Sequence, residues 1–110
     1  VRRRAEEARA QFQQGMIAYL TLVALERRAG AGPHQALVQA ADVADSWVWR
    51  RIRAALDHAM LGRRPTWEGL RDLSRDLDIS ELADCADIIA TGSEGTAVAD
   101  NLLARARSLR

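Results

Sequence analysis

IIATGSEGTAVADNLLARARSLR, from Ile88 to Arg110, turns one apolar-faced segment back on another through a Gly-Ser-Glu-Gly corner. Leu82, Cys85 or Ala86, and Ile89 recur at helical spacing, Gly92 and Gly95 bracket a break, and Val98, Leu102, Ala106 and Leu109 resume the pattern. A period between three and four places each set along one side of an α-helix, so the stretch predicts two amphipathic helices. Gly92 suits the left-handed position just past a helix end, and Ser93 or Gly95 suits the position just before the next helix. The two stripes are therefore expected to face each other. Nothing in the stretch carries chemistry; it is built for packing.

The same logic occurs upstream in RRAGAGPHQAL, Arg27 to Leu37. Gly30 is a stop signal, Gly32 a cap, and Pro33 a good first helical residue, because its missing N–H would have had no partner there. Working outward from the two corners gives an all-α chain, an antiparallel bundle of about six helices in a single domain covering residues 1–110. The first runs from about Arg3 to Ala29, roughly 40 Å long. Phe12, Met16, Tyr19, Leu20 and Val23 share one face and Ile17, Leu22 and Leu25 lie on others, so its second half is expected at the centre. The second runs from Pro33 to about Ala44, with Leu37, Ala40, Ala41 and Ala44 inward. Ser46 is placed to cap the third, Trp47 to Leu61, which turns Val48, Ile52, Leu56 and Met60 inward and ends at Gly62. Pro65 and Thr66 start the fourth, carrying Leu70, Leu73 and Leu77, and Ser80 caps the fifth, with Glu81 in its first turn favourable to the helix dipole. No run alternates β-branched with polar residues, so strands are not expected.

Three stretches, LVALERRAGAGPHQAL (Leu22 to Leu37), ALDHAMLGRRPTWEGLRDL (Ala55 to Leu73) and ADIIATGSEGTAVADNLLARA (Ala86 to Ala106), resemble the type II secretion system protein F family, including the Tad-type pilus assembly proteins. They cover most of the chain in the order helix, small-residue corner, helix. The match is one of pattern and order, and TGSEGT departs from the family's Gly-Glu-x-Gly-Gly form in the placement of Glu94. The resemblance implies a cytoplasmic helical domain of a multi-pass inner-membrane platform protein, without enzymatic activity or cofactor. It implies contacts with the assembly ATPase of the machine, with other inner-membrane components, and with a second copy of itself as a homodimer.

Composition sets further bounds. A chain of 110 residues buries enough surface for one core without staples. Its single cysteine, Cys85, forms no internal disulfide and reads as a small buried hydrophobe. The longest apolar run, Met16 to Leu25, is half of what a spanning helix needs, about 20 residues. Charged and polar residues fill Arg2 to Gln14, unlike a signal peptide. All sixteen basic residues are arginines, and the net charge of +1 gives no general pull toward nucleic acid. The distribution is uneven. Arg2, Arg3 and Arg4 open the chain and Arg105, Arg107 and Arg110 close it, as a segment lying between membrane spans on the cytoplasmic side would have it. Glu68, Asp72, Asp76, Asp78, Glu81, Asp84 and Asp87 make the intervening span acidic, with only Arg71 and Arg75 among them.

The candidate partner-binding residues are Glu81, Asp84 and Asp87, a one-sign patch suited to a basic partner, together with the tryptophans Trp49 and Trp67. Trp47 and Trp49 lie on different faces of the third helix, so at least one is expected to be partly exposed. The rival reading is a helix-turn-helix DNA-binding regulator in TWEGLRDLSRDLDISELADCADII. Its recognition helix would present Glu81, Asp84 and Asp87 to phosphates, which argues against it. No catalytic or metal site emerges: His34 and His58 are isolated from each other and from Cys85, and the glycine corners lack the lysine of a phosphate loop.

Overall fold

Six helices follow one another with short connections in a computed structural model that describes residues 2–91 and 94–109. They are α1 (Arg2–Arg28), α2 (Pro33–Ala41), α3 (Trp47–Leu61), α4 (Glu68–Leu77), α5 (Ser80–Thr91) and α6 (Gly95–Ser108). The described residues contain no strand, and the chain is the all-α bundle that the periodicity predicts. Its radius of gyration, 13.0 Å, matches that of a compact domain of this length, about 13 Å.

One core runs through all six helices. The stripe Phe12, Met16, Tyr19, Leu20 and Val23 of α1 is buried, as are Leu37 of α2, Ile52 of α3, Leu70 and Leu73 of α4, Leu82 and Ile89 of α5, and Val98 and Leu102 of α6. Buried Tyr19 donates its hydroxyl to the Leu37 carbonyl at 2.9 Å, so its polar tip is satisfied; the other buried polar side chain of α1, Arg27, donates Nη1 to the Ala31 carbonyl at 2.7 Å while its Nε has no partner among the described residues. α1 packs against α2, α3 and α6, which makes it the central helix. Its apolar residues do not all turn inward: Ile17 and Leu22 are half-buried and Leu25 is 51% exposed.

The last helix departs from the expected pairing. α6 packs more extensively on α1 than on α5. Its first residue, Gly95, sits so close to the last turn of α1 that a Cβ would run into the Arg27 carbonyl oxygen. Its end, Leu109, lies beside Ala10, Gln13 and Ile17, so α6 runs antiparallel to α1. Gly92, expected in the left-handed position, and Ser93 lie outside the described residues.

Several helix ends differ from the sequence reading for local reasons. α2 stops at Ala41 rather than Ala44, because the N–H groups of Asp42 and Val43 turn back to the carbonyls of Gln39 and Ala40. The Arg53 guanidinium then takes the Ala41 and Ala44 carbonyls at 2.7 and 2.8 Å. α4 begins at Glu68, since residues 65–67 form tight turns that place buried Thr66 against His34. Ser46 occupies the N-cap of α3 without a side-chain cap bond, and Ser80 is the first residue of α5 rather than a residue before it.

Three helices close with the same bond from the amide past the turn to a carbonyl five residues back. These are Ala31 to Glu26, Arg64 to Ala59 and Ile79 to Ser74. That motif needs a left-handed residue. Gly30 supplies it after α1 with φ of 103°, but after α3 the position falls on Arg63 at 58°, with Gly62 still right-handed, and after α4 on Asp78 at 55°.

Candidate functional site

The expected acidic patch lies on α5, and the fold does not leave it one-signed. The apolar face of α5, Leu82, Cys85, Ala86 and Ile89, is buried, which turns Glu81, Asp84 and Asp87 outward or to the edge of the interface. α4 then delivers Arg71, whose guanidinium binds Asp87 at 2.9 Å and Glu68 at 3.2 Å. From the other side α6 delivers Arg105, 3.8 Å from Asp84. Two of the three carboxylates thus have a cation of the chain itself beside them. Neither arginine lies within α5, so a reading along α5 alone misses both.

The same holds for Glu68, Asp72 and Asp76 of the acidic span. Asp72 accepts both guanidinium nitrogens of Arg64, at 3.1 and 2.8 Å, and a third bond from Arg75 at 2.6 Å. The hydrogen bonds from Arg64 and then Arg75 hold its carboxyl below the ordinary carboxylate range, against the opposing effect of burial. Asp76 pairs with Arg51 of α3 at 3.4 Å. These groups line an open cleft of about 620 Å³ between α3 and α4, floored by Ala54 and Ala55. His58 stands at its edge, its Nδ1 3.3 Å from Arg64 Nη2.

The tryptophans separate as their different faces required, but not to the advantage of Trp49. Its indole is 7% exposed and meets Tyr19 edge-on at 5.8 Å, so it belongs to the core, where a partner does not reach it. Trp67 is half-buried against the core at the N-cap of α4. Trp47 is the exposed one, at 42%. It tilts against Phe12 at 6.1 Å and donates its ring N–H to Gln11 at 3.0 Å.

Trp47 also lines an apolar groove of about 510 Å³ that sequence reasoning did not reveal. Ala5, Ala8 and Phe12 of α1 form one wall, Leu77 and Ile79 from the corner between α4 and α5 form the other, and Arg2, Glu6 and Asp76 stand at the rim. Residues of such wide separation leave no local pattern. The signal that existed was the placement of Ala5 and Ala8 on the same helical stripe as Phe12.

Of the corner residues, Gly30, Gly32 and Pro33 stand where their types suggested, and Gly95 is the first residue of α6 rather than a residue before it. Gly30 is left-handed, Gly32 is the extended N-cap of α2, and Pro33 is its first residue. His34 is bonded to the Thr66 hydroxyl, which ties the corner between α1 and α2 to the one between α3 and α4. Among the described residues no three His, Cys, Asp or Glu side chains gather as metal ligands, and no helix is long and apolar enough to cross a membrane. Burial pushes the Cys85 thiol up to about 12, with Asp84 a lesser cause. Compared with known proteins, the chain matches no family model, no curated protein and no solved structure.

Proposed function

We propose that this chain is a non-enzymatic scaffold, the cytoplasmic helical domain of an inner-membrane platform protein of the type II secretion protein F kind. In that role it contacts the assembly ATPase of a secretion or Tad-type pilus machine, other membrane components and a second copy of itself. One observation supports the reading best. Each of the three family-like segments spans one helix–corner–helix unit: Leu22 to Leu37 joins α1 to α2, Ala55 to Leu73 joins α3 to α4, and Ala86 to Ala106 joins α5 to α6. The connections between these units fall outside the segments.

The work of such a domain is contact, and its surface offers two places for it: the mixed-charge face of α5 and the groove beside Trp47. Charges arranged this way fix register and steer encounter more than they add affinity. A photo-crosslinker at Asp84 or at Trp47 in the full-length protein is expected to capture the assembly ATPase or another component of the machine. Reversing Asp84 and Asp87 to arginine is expected to weaken capture from the Trp47 position with helicity intact, because exposed pairs add little stability. Absence of any such crosslink from either position rejects the proposal.

The α4–α5 pair, joined through left-handed Asp78 and Ile79, favours a second reading as a DNA-binding helix-turn-helix. Salt-dependent shifts of labelled duplex in fluorescence anisotropy separate the two. The carboxylates of α5 predict no such binding.

A further inference from the structure

We infer that Arg9 is a latch. It holds the projecting first turns of α1 against the corner between α4 and α5, and those turns exchange between a held and a released state. Residues 2–11 are all exposed and burial in α1 begins at Phe12, so no core contact anchors the helix over that length. Trp47 grips Gln11 one half-turn further in, which leaves Arg9 as the outermost side-chain tie.

The tie is a fork. Nη1 of Arg9 donates to the Leu77 carbonyl at 2.8 Å and Nη2 to the Asp78 carbonyl at 3.0 Å. Both acceptors sit at the end of α4, where the last carbonyls lack intrahelical partners and the helix dipole favours a cation. Left-handed Asp78 reverses the chain there, with the Ile79 amide returning to Ser74, and leaves the two carbonyls within reach of one guanidinium. Only arginine presents two parallel donors in a fixed plane; a lysine ammonium supplies the charge without the fork.

The consequence is mechanical. The wall of the apolar groove carrying Ala5 and Ala8 belongs to the latched segment, and the opposite wall belongs to the corner that Arg9 grips. Held, the two walls enclose the groove. Released, the α1 wall is a helix end without tertiary support and frays.

Amide hydrogen exchange on the intact chain tests this. Alanine is at least as good a helix former as arginine, so Arg9→Ala does not weaken α1 by propensity. Its expected effect is exchange accelerated roughly five- to tenfold at residues 6–9, the loss of exposed charge-assisted bonds. Residues 16–24 exchange as before, Arg9→Lys shows most of the acceleration, and Arg4→Ala, which removes an exposed arginine of the same segment, shows none. Unchanged exchange in Arg9→Ala, full protection in Arg9→Lys, or equal acceleration in Arg4→Ala overturns the latch.

Discussion

Replacing Gly69 by alanine sets two effects of known sign against each other. Gly69 is buried in the first turn of α4, where α4 crosses α3. Alanine there gains helix propensity of about 1 kcal/mol. The added Cβ, however, would lie 2.8 Å from the Ala55 carbonyl oxygen and 3.1 Å from Leu56 Cα, where ordinary contact begins at 3.4 Å. Both neighbours are helix backbone, so no side chain can rotate away, and α3 and α4 must separate or tilt. Overpacking of this kind costs about 1–3 kcal/mol. Because both neighbours are backbone, the cost falls in the upper part of that range and the steric effect wins, with a net loss of up to about 2 kcal/mol. The assay is urea unfolding followed by circular dichroism, with Gly62→Ala as control: a Cβ there meets nothing closer than 3.5 Å, and Gly62 has a negative φ. A Gly69→Ala protein that is more stable than the parent, by the propensity gain alone, refutes the close α3–α4 approach.

Arg63→Gly removes a side chain from a left-handed position and is expected to stabilise by about 0.5–1 kcal/mol in the same unfolding assay, the gain offset in part by the freer unfolded chain. Cys85, ordinarily near 9.0 and pushed up to about 12, is expected to resist a thiol reagent at pH 8 in the folded chain and to react at once in urea. Because its folded value is raised, its contribution to stability is intact below pH 9 and is lost above it, by up to about 1.4 kcal/mol per pH unit. Asp72 has the opposite sign. Its folded value is lowered, so its contribution is present above the ordinary value of 3.8 and lost as pH falls through the folded value. Asp72→Asn is therefore expected to lower the melting temperature at neutral pH, with the difference from wild type vanishing in acid.

Where periodicity and turn chemistry act alone, the fold was legible. α3 runs from Trp47 to Leu61 as read, and the buried stripe of α1 is the predicted one, because both follow from the 3.6-residue repeat. What escaped was set across the chain. Arg53 receives the end of α2 from a different helix, and the preference of α6 for α1 over α5 is a contact between residues far apart in sequence, which no local window reports. After α3 the left-handed residue falls one past the glycine that marks the corner, because the bond from Arg64 to Ala59 fixes which residue must turn. The candidate site was legible in part. Its carboxylates were visible on α5, its neutralising arginines came from α4 and α6, and of the tryptophans in α3 the sequence favoured Trp49 where the fold exposes Trp47.

The closing of the bundle by its first and last helices has a consequence for biosynthesis. During synthesis α1 emerges before α6, and the partner that packs on its Arg27 end arrives only with Gly95 and the residues after it. Translation arrest or proteolytic clipping anywhere before α6 therefore leaves a long sticky helix in search of a substitute. Quality control is expected to meet this protein as an incomplete bundle held by chaperones until α6 leaves the exit tunnel.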